Sequence, residues 1–180
     1  MHTAGFLILL AVVVLGGAYF LSAYMKVVYE GGRTWLSPFF DPLERLIYRA
    51  LRIDPESDMG ALQYTRAVLM FSAAGFLFVY LLERLQGHLP LNPISLKGVR
   101  PDIAMNTAIS FVTNTNWQVY VPETTMSYLT QAAGLAVQNF VSAATGMAVA
   151  VALVRGFTRS GKNGIGNFWA DIVRGTLYIL

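Results

Sequence analysis

The run Thr107-Ala108-Ile109-Ser110-Phe111-Val112-Thr113-Asn114-Thr115-Asn116-Trp117-Gln118 decides how the rest of this chain is read. It lies between two long apolar segments and is itself too short and too polar to cross a bilayer. Pro101-Asp102 opens a helix-like run before it, and Pro122 closes it. That outline predicts a pore loop: a half-helix that dips into the membrane and returns as extended backbone. Non-helical backbone at membrane depth is tolerated only where protein shields it or where it lines water. The segment from Thr113 to Gln118 is therefore expected to face a pore or a protein interior.

The surrounding chain supplies the membrane. Of 180 residues, 55% are hydrophobic and 13% charged, which is the composition of an integral membrane protein. Cysteine is absent, which excludes disulfides, thiolate metal sites and thiol nucleophiles. His2 and His88 have no second histidine at metal-ligand spacing and read as surface residues. The formal net charge of +3 reflects topology rather than acidic partners, and no nucleic-acid partner is expected.

Outward from the loop, Leu62–Leu85 and Leu129–Val154 are apolar and long enough to span. Ala4–Met25 gives 22 residues without a charge. No Lys or Arg precedes that run, and it is long for a signal peptide, so it is read as a helix that stays. The third span carries small residues at helical spacing: Ala132/Ala136, Ser142/Gly146 and Gly146/Ala150. Between the first two spans, Asp41 is expected to cap a helix with Pro42 at its first position. Leu43, Leu46, Ile47, Ala50 and Leu51 then share a face, and Arg45, Arg49 and Arg52 lie largely off it. This is a short amphipathic helix, either on the membrane surface or packed on the ends of the spans. The domains are thus 1–27, an N-terminal transmembrane helix; 28–61, a connection with the amphipathic helix; 62–155, a helix–pore loop–helix repeat with its loop at 102–121; and 156–180, a loop and the start of another span. The chain stops inside that last apolar run, which points to the N-terminal piece of a longer polypeptide.

Charge supports the re-entrant reading. The first connection holds Lys26, Arg33, Arg45, Arg49 and Arg52, the second Lys97 and Arg100, and the end of the third span Arg155, Arg159 and Lys162. The positive-inside rule puts the N-terminus outside, the first connection inside, the second outside and Arg155–Lys162 inside. Had 102–121 also crossed, that last cluster would sit on the wrong side. A helix over Asp102–Val112 is about 16 Å long, roughly half the hydrocarbon core.

The loop is rich in oxygen. Thr113 and Thr115 bring hydroxyls, Asn114, Asn116 and Gln118 bring amide carbonyls, and the backbone adds its own. Oxygen rings replace the hydration shell of an alkali cation. The absence of carboxylates in the loop suits a monovalent ion rather than a divalent one. The C-terminal end of the half-helix carries partial negative charge and favours a cation there. Glu123 is placed at the outer mouth, with a solvated charge or a helix cap as its alternative. Gln138 and Asn139 are expected behind the loop, hydrogen-bonding its backbone. Trp117 is a wedge or an interfacial anchor. A polar packing element that binds no ion remains the alternative for the whole motif.

The run from Asn106 to Gln118 closely resembles the first pore loop of the potassium-transporting ATPase A subunit family. Leu89-Pro90-Leu91-Asn92-Pro93, Glu123-Thr124-Thr125, Val137-Gln138-Asn139-Phe140, the Gly134–Gly146 segment and Arg155-Gly156-Phe157-Thr158-Arg159 resemble that family as well. The resemblance covers most of the chain and is weakest over the first forty residues. It implies an all-α integral membrane fold with four helix–pore loop–helix repeats around one K+ filter, of which one repeat is present here. It implies that K+ is bound from outside and passed to a P-type ATPase B subunit, which uses the ATP. It also implies C and F subunits in the same complex, a bacterial inner membrane and no catalysis on this chain. By motif match, Thr113, Asn114, Thr115 and Gln118 line the filter, with Asn116 between them. The loop departs from the Thr-Val-Gly-Tyr-Gly pattern of potassium channels, because Asn114 and Asn116 stand where residues let carbonyls line up. An asymmetric quarter of the ring is expected.

Two rivals are weighed. A small homotetrameric channel would end cleanly after the third span. An ATP-using enzyme would explain Gly156-Phe157-Thr158-Arg159-Ser160-Gly161-Lys162-Asn163, which nearly matches a P-loop. That run fails at Asn163, where a hydroxyl should hold Mg2+, and it follows a membrane helix rather than a strand.

Overall fold

A computed structural model describes residues 2–159 and 164–180, without the side chain of His2. Lys162 and the rest of the Ser160-Gly161-Lys162-Asn163 end of the near-P-loop run lie outside the described residues. The regular elements among the described residues are all helical, with no strand among them.

Helix α1 runs His2–Tyr29, α2 Ser37–Leu51 and α3 Ala61–Leu85. Helix α4 runs Pro101–Val112 and the single turn α5 Pro122–Thr125. Wide, π-helical turns at Thr130–Ala136 lead into α6, Val137–Thr158. Helix α7, Phe168–Arg174, continues as further wide turns over Gly175–Ile179. Three stretches are long and apolar enough to cross a membrane: Thr3–Tyr29, Ala61–His88 and Thr130–Thr158. They are the three spans expected from the sequence, each running a few residues further at its C-terminal end. Helix α4 has 12 residues, about 18 Å, and is too short to join them.

Two buried clusters hold the repeat together. At one end, Tyr64 and Ala67 of α3 meet Ala144, Ala148 and Ala152 of α6 and Phe168 of α7. At the other, Val79 of α3 packs on Ala104, Ala108 and Phe111 of α4, with Met126 and Leu135 closing the cluster. The small-residue face in use on α6 is therefore Ala144/Ala148/Ala152, not Gly146/Ala150. A Cβ built on Gly146 meets nothing within 4 Å. Close approach occurs instead at Gly134, where a Cβ would lie 2.9 Å from a Leu82 methyl.

The amphipathic helix starts earlier than expected. Leu36 precedes its first residue, Pro38 lies in its first turn and Pro42 falls inside it. Phe39 and Phe40 both donate to the Leu36 carbonyl, which closes the first turn before Asp41 is reached. Asp41 does not cap. It accepts a hydrogen bond from the Tyr178 hydroxyl at 2.8 Å. The helix ends at Leu51, where Arg52 adopts the left-handed conformation, φ 55°. It docks by Asp41, Glu44 and Tyr48, its polar side. Leu43, Leu46 and Phe39 are left exposed, as an interfacial helix requires.

At the same end of the molecule, Arg155 and Asp171 form a buried two-pronged ion pair at 2.6 and 3.0 Å. Tyr64 donates to the same carboxylate at 3.0 Å, and Arg155 also donates to the Tyr29 carbonyl at 2.9 Å. One pair thus joins α1, α3, α6 and α7. Arg159 pairs with Asp58 at 3.2 Å in an exposed contact.

Candidate functional site

The re-entrant hairpin is clamped at its base by one side chain. Gln86, fully buried at the end of α3, donates to the carbonyls of Lys97 and Thr125, both at 2.8 Å. Its amide oxygen accepts from the Ser127 N–H at 2.9 Å and the Thr130 hydroxyl at 3.0 Å. Lys97 precedes the half-helix, whereas Thr125 and Ser127 follow the return arm. Val99 donates to the Glu83 carbonyl at 3.0 Å, and Arg84 donates to the Val99 carbonyl. The C-terminal end of α3 therefore holds both stalks of the hairpin.

The tip is organised by Ser110. Its carbonyl accepts the N–H groups of Thr115 at 2.9 Å and Asn116 at 3.2 Å. Its side-chain oxygen accepts the Trp117 N–H at 2.6 Å. Three consecutive N–H groups thus converge on one residue. All peptide bonds among the described residues are trans. Across a planar trans peptide the carbonyl points opposite to the N–H that follows it. The carbonyls of Asn114, Thr115 and Asn116 are therefore turned away from Ser110, toward the exposed side of the loop. None of them accepts a hydrogen bond among the described residues.

This geometry needs a particular backbone. Asn114 and Asn116 have φ of 56° and 55°, while Thr113 and Thr115 do not enter the left-handed region. Alternation of left-handed and ordinary residues puts successive N–H groups on one side. Asparagine tolerates the left-handed region better than other non-glycine residues because its short polar side chain bonds locally. The departure from a glycine-containing filter is thus one of residue type, and both asparagines still adopt the conformation that glycine would supply.

The predicted side chains divide into two kinds. Thr113 donates to the Ile109 carbonyl at 2.9 Å, and its hydroxyl lies 2.9 Å from that of Thr115. The Asn114 side-chain oxygen accepts from the Asn116 amide at 3.3 Å and from Ser142 of α6 at 3.4 Å. These contacts fasten the loop to itself, and the backbone carbonyls of Asn114, Thr115 and Asn116 stay free of hydrogen bonds among the described residues. Gln118 is exposed just past the part of the loop held by Ser110, and Trp117 is 71% exposed. Glu123 is exposed on the α5 turn.

Behind the loop, Gln138 is buried against α3, where its amide oxygen would lie 3.1 Å from a Cβ on Gly75. Asn139 is exposed. Among the described residues neither hydrogen-bonds the loop backbone. The α6 residue that reaches the loop is Ser142, one turn further along. Ser110, Ser142 and Gln86 escape sequence reasoning. Only the oxygen-rich pattern of the loop itself could have drawn attention to Ser110. Among the described residues no cluster of acidic, histidine or cysteine side chains could hold a metal, and His88 is exposed.

Comparison with known proteins gives the family. Residues 7–180 match the family described as the potassium-transporting ATPase A subunit, KdpA. A protein of Bordetella pertussis named potassium-transporting ATPase potassium-binding subunit is 55% identical over 176 residues, 98% of this chain and 30% of its own length. The protein of that name from Sorangium cellulosum is 56% identical over 168 residues, 93% of this chain and 29% of its own. That from Pseudomonas syringae pv. tomato is 50% identical over 182 residues, 100% of this chain and 32% of its own. The chain thus spans about 30% of the length of the curated relatives it matches. With a matching profile over nearly all its residues, the chain belongs to the potassium-transporting ATPase A subunit family.

Proposed function

We propose that this chain contributes one quarter of the K+ filter in the ion-binding subunit of an ATP-driven potassium uptake complex. The observation that carries this reading is the set of three outward-turned carbonyls, Asn114 to Asn116, at the C-terminal end of α4. That helix end bears partial negative charge, and free carbonyls are the ligands with which a protein replaces the water of an alkali cation. Thr113, Asn114, Thr115, Asn116 and Gln118 form the ion-facing loop, Glu123 raises cation concentration at the mouth, and Gln138 and Asn139 sit in the supporting span. One loop cannot encircle an ion, so three further loops complete the ring in the full-length subunit.

In this reading the chain performs no hydrolysis. ATP is used by a P-type ATPase B subunit, and C and F subunits complete the assembly in a bacterial inner membrane. The N-terminus lies outside and the Arg155–Lys162 loop inside. The name of the relatives supports the substrate, and the positive-inside distribution supports the orientation.

The test is K+ activation of ATP hydrolysis by the complete complex carrying Gln118→Arg. A rise in the K+ concentration for half-maximal activity is expected. An unchanged value would remove Gln118 from the filter.

A further inference from the structure

A cavity of about 360 Å³ lies where the end of α1, the polar side of α2 and α7 meet. Its walls include Arg33, Asp41, Glu44, Arg45, Tyr48 and Arg174. Three features show that its polar groups are incompletely used. The Arg174 side chain is only 15% exposed, yet its sole hydrogen bond among the described residues runs from Nε to Glu44 at 3.0 Å. Its two terminal amino groups lie over Gly31, a left-handed glycine (φ 74°) whose added Cβ would sit 2.9 Å from one of them. The Tyr48 hydroxyl is buried and makes no hydrogen bond of normal geometry among the described residues, although the Glu44 carboxylate lies close enough to act on it. Burial pushes this phenol above its usual range, so it stays a donor.

The two acidic walls are already engaged. The Glu44 oxygens accept from Arg174 and, at 2.7 Å, from the Tyr178 hydroxyl. Asp41 accepts from the same hydroxyl at 2.8 Å and faces Arg45 at 3.9 Å. Three arginines against two carboxylates leave an excess of positive charge. Unsatisfied guanidinium amino groups beside a buried hydroxyl donor match the oxygens of a phosphate. The cavity also opens at the end of a membrane span, beside a helix whose apolar residues Phe39, Leu43 and Leu46 are exposed. A ligand with acyl chains can lie along that helix while its headgroup enters the cavity.

We propose that this cavity binds the phosphate of an anionic phospholipid headgroup, with the Arg174 amino groups and the Tyr48 hydroxyl as donors and Arg33 at the mouth. The inference is independent of the filter, because its readout is lipid binding rather than transport.

The full-length subunit, purified from its membrane with the subunits that accompany it and stripped of lipid in detergent, is titrated with phosphatidylglycerol and followed by native mass spectrometry. Diacylglycerol of the same chain length serves as the phosphate-free probe, and inorganic phosphate as the lipid-free one. Tyr48→Phe and Arg174→Lys keep size and charge and remove the proposed donors. Arg33→Gln alters only an exposed side chain and serves where the other variants fail to assemble. We expect these variants to weaken phosphatidylglycerol binding about tenfold, diacylglycerol binding to stay as it was, and inorganic phosphate alone to give no stable adduct. Phosphatidylglycerol binding unaffected by every assembled variant would overturn the site. Inorganic phosphate binding as tightly as the lipid would overturn the lipid as its source.

Discussion

The backbone N–H of Trp117 donates to the side-chain oxygen of Ser110 at 2.6 Å, across seven residues of chain. It is the last of three donors gathered by one serine, and it fixes the direction of the Asn116 carbonyl. Ser110→Ala leaves the Ser110 carbonyl in place and removes the partner of the Trp117 N–H, at a cost of about 0.5–1.5 kcal/mol. In the complete complex we expect the K+ concentration for half-maximal ATP hydrolysis to rise about tenfold, with little change in protein yield. A normal K+ dependence would mean that the loop holds its shape without this bond.

The left-handed residue at 116 distinguishes shape from side chain. Asn116→Gly preserves the conformation at no steric penalty, whereas Asn116→Val forces a β-branched side chain into a region that costs roughly 1–2 kcal/mol or more. Glycine is expected to retain most K+ activation and valine to lose it. Equal behaviour of the two variants in a K+ titration would point to the asparagine amide, not the backbone, as the important feature.

Gln86 makes a prediction about local order. Gln86→Leu strands two carbonyls and an N–H in a buried setting, each worth about 1–3 kcal/mol when left without a partner, while the Thr130 hydroxyl keeps the Ser127 hydroxyl at 3.0 Å. Amide hydrogen exchange around residues 96–100 and 125–130 should accelerate in this variant while exchange in α6 stays slow. Uniform acceleration along the chain would show global destabilisation rather than release of a clamp.

The Arg155–Asp171 pair is a stability element at the opposite end. Asp171 is 1% exposed, so Asp171→Asn leaves the guanidinium buried without its counter-charge. Breaking such a pair costs about 3–5 kcal/mol. A clear fall in the thermal midpoint of the detergent-solubilised protein is expected. A midpoint within a degree or two of the parent would mean that Tyr64 and nearby carbonyls suffice to hold Arg155.

The three spans and the re-entrant hairpin were legible in the sequence because length and polarity alone decide what can cross a bilayer. A half-helix of 12 residues between Pro101 and Thr113 cannot reach the far side, whatever its neighbours do. The left-handed conformations of Asn114 and Asn116 were not legible, since asparagine is permissive in that region without requiring it. Ser110 was hidden for a related reason: its role depends on backbone angles four to six residues away. The start of α2 was misplaced because Asp41-Pro42 has the form of a helix start, while the Tyr178 hydroxyl, 137 residues away in sequence, claims the aspartate. The packed face of α6 was shifted by two residues from the one expected. Several small-residue faces wind around that helix, and composition cannot choose which of them meets α3 and α7.

Gln86 also bears on motion. The inbound and outbound stalks of the hairpin are fastened to the same amide, and that amide belongs to the end of a long helix. The hairpin therefore travels with α3 as one body and cannot swing as a flap on its own hinges. In the filter proposed above, whatever opens and shuts the ion path would be sought on the other side of the loop, and this edge would behave as a fixed sill.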